Sequence, residues 1–200
     1  LGNASVKNVF AGYRQTYVVN SNNAIYQFGQ NSYAELGRTD SLDHYDPVLM
    51  NASLIDNKIV KQVVVGAVDT LSVTFIVTED GAVYGFGDNN FGQLGLGDNN
   101  RRAQPVRLTH ANLSGKKIIH AASSGRATLL VASDGTAFTF GYGLDGNLGH
   151  GTSVNLNVPT ALTHATITAK KIISGSIVSR GVSSFILLNE DGQLISFGEN

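Results

Sequence analysis

Residues 84–97 read Tyr84-Gly85-Phe86-Gly87-Asp88-Asn89-Asn90-Phe91-Gly92-Gln93-Leu94-Gly95-Leu96-Gly97, an aromatic segment that runs into a set of glycine-marked turns. The chain repeats this text. Phe-Gly recurs at Phe28-Gly29, Phe86-Gly87, Phe140-Gly141 and Phe197-Gly198, at spacings of 58, 54 and 57 residues. Eight residues after the first three phenylalanines comes Leu-Gly, at Leu36-Gly37, Leu94-Gly95 and Leu148-Gly149. Ten residues beyond each of those glycines stands a proline: Pro47, Pro105 and Pro159. Three unrelated features holding register three times define an internal repeat of about 55 residues. A fixed period of that size points to stacked supersecondary units.

Upstream, each unit has a second recognisable half. Apolar runs end in Asp80-Gly81, Asp134-Gly135 and Asp191-Gly192, with each glycine five residues before the next phenylalanine. Asn23 holds that place in the first unit; after glycine, asparagine tolerates positive φ best. Asp-Gly between two apolar runs predicts hairpins, here of the two-residue type I′. Lys58-Ile59-Val60, Lys117-Ile118-Ile119 and Lys171-Ile172-Ile173 align as one further strand, and the proline segments as another. Each unit then holds about four strands, and no 3.6-residue period is sustained anywhere. Four-stranded units in tandem are blades of a β-propeller. The fold expected is all-β. The chain divides as 1–24 (the end of a blade), repeats over 25–82, 83–136 and 137–193, and 194–200 (the start of the next).

Hydrophobic residues make up 42% of the 200, enough for a sizeable core, and 23 glycines against 14% charged residues suit many tight turns rather than a disordered tail. A net charge of −1 gives no basic field to neutralise phosphates, so nucleic-acid binding is not expected of this part of the molecule. Absence of cysteine excludes disulfides and thiol chemistry and slightly favours cytosol or nucleus, with secretion left open. No apolar run approaches a membrane span, and no signal peptide is apparent. Because the sequence starts at Leu1 and stops inside repeat text, it reads as a fragment of a longer chain.

The string from Tyr84 to Gly97 resembles the signature of the regulator of chromosome condensation (RCC1) repeats, and the resemblance extends over essentially the whole chain. It implies a seven-bladed propeller of which this chain supplies about half. The remainder would come from further repeats of the same polypeptide, a second copy or another subunit. Several positions depart from the family pattern. A histidine that often precedes the apolar run is replaced by Gln15, Val73, Ala127 and Ser184; Gly-Gln-Leu-Gly has become Ala34-Glu35-Leu36-Gly37; and tyrosines 26 and 84 stand where the family often has tryptophan. These differences set the chain apart from the founding exchange factor.

No constellation of catalytic type emerges. Gly141-Tyr142-Gly143-Leu144-Asp145-Gly146 spells G-x-G-x-x-G, but Asn147-Leu148-Gly149-His150-Gly151 offers no following helix to hold a pyrophosphate. His44, His110, His120, His150 and His164 lack ligand spacing, and Asp88-Asn89-Asn90 lacks the terminal glutamate of a calcium loop. No cofactor, metal or catalytic residue is therefore expected. Asn3, Asn51 and Asn112 fit the glycosylation triplet, which a chain rich in Asn and Ser produces by accident. The basic pairs Arg101-Arg102 and Lys116-Lys117 lie on inter-strand segments, where propellers present binding loops, and are the candidate partner contacts. The reading is a scaffold binding a partner protein, not an enzyme. Guanine nucleotide exchange on a Ran-type small GTPase is the alternative that the resemblance implies. A secreted binder or inhibitor, like a bacterial β-lactamase inhibitor with similar repeats, is another.

Overall fold

In a computed structural model that describes residues 3–68, 71–179 and 183–198, the apolar runs become strands sandwiched on both faces. The first antiparallel sheet comprises β1 (Val6–Ala11), β2 (Gln15–Asn20), β3 (Ile25–Gly29) and β4 (His44–Leu49), in that order. The second holds β5 (Val60–Val68), β6 (Leu71–Thr78), β7 (Val83–Gly87) and β8 (Arg102–Arg107). The third holds β9 (Ile118–Ser123), β10 (Ala127–Ala132), β11 (Ala137–Gly141) and β12 (Leu156–Ala161). A fourth has three described strands, β13 (Ile172–Ser179), β14 (Ser183–Asn189) and β15 (Leu194–Gly198). This is an all-β propeller built from four-stranded blades. The strands that open consecutive sheets, β5, β9 and β13, pack on one another and so lie innermost.

Three hydrophobic cores fill the three blade junctions. Tyr17 and Leu36 meet Ile76 and Phe86 at the first, Phe75 and Leu94 meet Leu130 and Phe140 at the second, and Leu129 and Leu148 meet Phe185 and Leu187 at the third. Strands β7, β10 and β11 are buried along their whole length, which is why their text runs apolar instead of alternating. The exposed outer strand β4 has no such run.

The repeated Phe-Gly and Leu-Gly motifs fit each other across the junctions. A Cβ on Gly37 would stand 3.0 Å from the ring of Phe86, one on Gly95 2.7 Å from Phe140, and one on Gly149 2.7 Å from Phe197. These three glycines also hold φ of +72°, +69° and +81°, so both space and backbone exclude a side chain.

Three expectations change in detail. The hairpins turn at the expected Asp-Gly pairs but are three-residue loops, closed by Gly81 N–H on Thr78 O and Thr78 N–H on Ala82 O, with positive φ at the glycine alone. The lysine register shifts by one: β-pairing aligns Val60 with Ile118 and Ile172, so Lys58 corresponds to Lys116 and Lys170. Residues 1–24, expected to end a blade, supply β1 and β2, which open the first sheet. A repeat framed on the sequence thus takes two strands from each of two neighbouring sheets. The linkers between sheets also contain two 3-10 turns (Ala52–Ile55 and Ala111–Leu113) and one turn of helix, α1 (Ala165–Thr168).

Candidate partner-binding surfaces

Antiparallel strands give every blade two ends. At the hairpin end lie the Asp-Gly turns and the linkers between sheets. At the loop end lie the short connections 12–14 and 124–126 and the long loops 30–43, 88–101 and 142–155. Arg101 and Arg102 sit at the loop end and Lys116 and Lys117 at the hairpin end, so the two basic pairs occupy opposite ends of the molecule.

The long loops are held from within. Leu36 N–H donates to Asn31 Oδ1 at 3.0 Å, and Leu94 N–H to Asn89 Oδ1 at 2.9 Å. Asn89 therefore serves a turn, while Asp88 beside it is buried and accepts from Asn89 N–H at 2.8 Å. Beneath the first loop lies Glu35, fully buried, accepting from Tyr33 N–H at 2.6 Å and from Gln15 Nε2 at 3.2 Å. Burial pushes its carboxyl pKa up despite these bonds. Gln93 fills the same position in the second loop, accepting from Phe91 N–H at 2.8 Å and donating to Gly125 O at 3.2 Å.

On this base stand aromatic and guanidinium groups that bridge the blades. Arg101, from the second blade's loop, lies 5.0 Å over the ring of Tyr33 in the first. Phe91 meets Tyr142 of the third blade edge-on, with centroids 5.2 Å apart. Arg14 lies 5.0 Å over Tyr13 and donates to Gln30 Oε1 at 3.0 Å. Arg102 is engaged differently: it pairs with Asp98, whose carboxyl its hydrogen bond holds below the usual range. Arg38 pairs with Asp40 at 2.7 Å. Partial burial opposes ionisation of Asp40, but hydrogen bonds from Arg38 and His44 outweigh it and hold the carboxyl at about 2. Arg14 and Arg101 thus face no carboxylate among the described residues.

At the hairpin end one ion pair recurs: Lys58 with Asp80 at 2.7 Å, Lys116 with Asp134, and Lys170 with Asp191 at 3.0 Å. Lys116 is thereby neutralised. Lys117 lays its stem against Gly81, and its ammonium has no partner among the described residues.

The five histidines serve locally. Nδ1 of His110 and of His164 accepts from a backbone N–H two residues on, capping the linker turns. His120 bonds Gly175 O at 2.6 Å, His150 bonds Thr139 Oγ1 at 2.8 Å, and His44 meets Asp40. Burial lowers the pKa of both His120 and His150. No group of three metal-ligating side chains occurs among the described residues. After Gly141 the chain turns without a helix.

Sequence reasoning named Arg101 but not Arg14, Tyr33, Phe91 or Tyr142. Tyr33 and Phe91 occupy one repeat position, three residues before Leu-Gly, which was the available signal.

The sequence pattern of the regulator of chromosome condensation (RCC1) repeat matches residues 80–131 and 134–176, and a second pattern of the same description matches 60–93. The chain belongs to this family. Among RCC1-repeat proteins, the ultraviolet-B receptor UVR8 of Arabidopsis thaliana is 33% identical over 158 residues, 79% of this chain and 34% of the receptor. The crystal structure of human WBSCR16 superposes with a TM-score of 0.78 at 26% identity, covering 96% of this chain and 47% of that one. The structure of Prp20p from Saccharomyces cerevisiae, described with its binding properties to Gsp1p and histones, matches at TM-score 0.70 and 19% identity, covering 86% and 41%. The chain thus spans about a third of the receptor and 47% and 41% of the two solved chains.

Proposed function

We propose that this chain forms part of a protein-interaction scaffold that grips a partner polypeptide at its loop end. One observation carries the reading: the guanidinium groups of Arg14 and Arg101 are pre-positioned on tyrosine rings and pair with no carboxylate among the described residues. Arginine and tyrosine dominate binding hot spots because they bring large, stiff contact area together with directional donors. Tyr33 and Arg101 stand on loops held by buried asparagines, and Arg14 is fixed by its bond to Gln30, so little ordering is required on binding. Family membership and the binding described for Prp20p support a protein partner. Of the residues proposed from sequence, Arg101 belongs to this surface. Arg102 supports it by fixing the end of the loop, and Lys117 is a separate contact at the hairpin end, beside the neutralised Lys116.

The test is capture of a partner by the full-length protein, then affinity measurement with Arg101→Ala and Tyr33→Ala. Each should weaken binding about tenfold or more, with the thermal melt unchanged. If both variants bind like the wild type, the loop end is not the contact surface. Release of labelled GDP from a Ran-type GTPase in the same preparation tests the exchange activity that the resemblance implies.

A further inference from the structure

On the flank of the first junction, between the first and second sheets, a cleft of 210 Å³ opens beside Gln27, Thr39, Asn51 and Gln104, over Leu49 and Met50. Gln27 is 1% exposed, and its Oε1 is sealed from solvent with no hydrogen-bond partner among the described residues. Burying such a group unpaired costs about 1–3 kcal/mol, which a bound polar group would recover. The equivalent places in the next two blades show no such orphan. Gly85 stands there in the second, with Phe75 and Leu94 packed 2.9 and 3.2 Å from where a Cβ would be. Thr139 stands there in the third, donating to Leu148 O at 2.6 Å. The repeat can fill this position cheaply, and at the first junction it does not.

The walls match the orphan. Asn51 Oδ1 is occupied by Ser53, through N–H at 3.1 Å and Oγ at 2.9 Å, which leaves its Nδ2 as a free donor. Thr39 and Gln104 are exposed side chains that make no hydrogen bond among the described residues. No unpaired charge lines the cleft, since Arg38 at its rim is held by Asp40. The last torsion of a carboxamide is roughly two-fold, so a half-turn exchanges the two atoms and lets Gln27 present either its oxygen or its nitrogen to the cleft. A ligand group carrying both a donor and an acceptor satisfies it in either orientation. The volume is below the several hundred Å³ of a drug-sized pocket and suits one short side chain.

We infer that this cleft is a binding site for a primary carboxamide, seated against Gln27 with its alkyl arm on Leu49 and Met50. The site lies on the flank of the blades, where it borders loop 30–43 at Thr39 but uses neither Tyr33 nor Arg101, so its failure would leave the proposed loop-end contact unaffected.

Titration of the isotope-labelled full chain with N-acetylglutamine methylamide, propionamide and propionate, followed by amide chemical shifts, tests the inference. Saturable shifts centred on the Gln27 and Gln104 side chains are expected with both amides and not with propionate, which lacks the donor. Gln27→Thr, which copies the third blade, should weaken amide binding about tenfold. Gln104→Ala, on the exposed wall, should weaken it less without touching the core. Tighter binding of the blocked glutamine than of propionamide would identify a polypeptide side chain as the occupant, and equal binding a free amide. Absence of saturable shifts, equal shifts with propionate, or binding indifferent to both substitutions would overturn the assignment.

Discussion

The first and second blade junctions solve the same contact with different atoms. At the second, the carbonyl of hairpin residue Gly81 accepts from Ile118 N–H of the next blade at 3.1 Å. A Cβ at Gly81 would stand 2.8 Å from that nitrogen. At the first, Asn23 occupies the glycine's place at φ +62° and reaches across with its side chain instead. Its Oδ1 accepts from Val60 N–H at 2.9 Å, and its Nδ2 donates to Lys58 O at 3.0 Å. The lysine–aspartate pair of the later blades has no counterpart in the first blade, where Ala4 and Asn22 stand in the two positions. Beneath the loops, Ala34-Glu35 replaces Gly92-Gln93, so the first blade carries a non-glycine at φ +61° and an ionisable group where its neighbour has a neutral one. Backbone geometry is what the repeat preserves, and the chemistry that satisfies it is free to vary.

Gly95→Val should break the second junction outright, since it combines positive φ with a Cβ 2.7 Å from Phe140. A loss of about 3 kcal/mol is expected from strain and overpacking together, read as a lowered midpoint in chemical denaturation. Asn23→Ala should cost about 2 kcal/mol, because two backbone groups of the next blade lose their partner and alanine tolerates positive φ less well. Asn23→Gly, copying the second blade, should recover part of that loss. If both variants melt like the wild type, the side-chain bridge is not what joins the blades; if alanine and glycine lose stability equally, the positive φ contributes nothing. Ala34→Gly goes the other way and should stabilise by about 1 kcal/mol.

Glu35→Gln should make the first blade titrate like the second. Burial raises the Glu35 pKa above its unfolded value. Its contribution is therefore fully present below the unfolded value of about 4.3 and is lost as pH rises through the higher folded value. Wild-type melting temperature should fall across that window relative to the glutamine variant, and parallel curves would show that Glu35 does not titrate there. The smallest effect belongs to Lys116. Its hydrogen bond holds Asp134 at about 2, so the pair contributes above the unfolded pKa and is lost as pH falls through about 2. Half-exposed, it is worth only a few tenths of a kcal/mol, to be read from a double-mutant cycle of Lys116→Ala and Asp134→Ala.

What the sequence made legible follows the same division. Phe-Gly and Leu-Gly align by eye because the bare backbone of one blade and the ring of the next admit no substitute. The lysine register slipped because Lys116-Lys117 and Lys170-Lys171 are doubled and either member aligns equally well, whereas strand pairing distinguishes them. Hairpin type is not legible in the pair alone, since Asp-Gly serves both the two- and three-residue loops. Separation of Arg101 from Lys116 depends on strand direction, which reverses at each hairpin and leaves no mark in composition. Tyr33 and Arg101 lie 68 positions apart in the chain, so nothing local announces their contact.

Each sheet is continuous in the chain, and the linkers 50–59 and 108–117, anchored by buried Met50, Ile55 and Leu108 but otherwise largely exposed, carry no strand. A cut in either linker would leave every sheet whole, with the pieces still joined by Phe86 on Gly37 and Asn23 on Val60, or by Phe140 on Gly95. A cut at a hairpin would sever the middle of a sheet. The linkers are thus where this protein could be split into complementing halves or given new termini, and the choice of linker decides whether the Asn23 bridge or the Gly81 carbonyl holds the halves together.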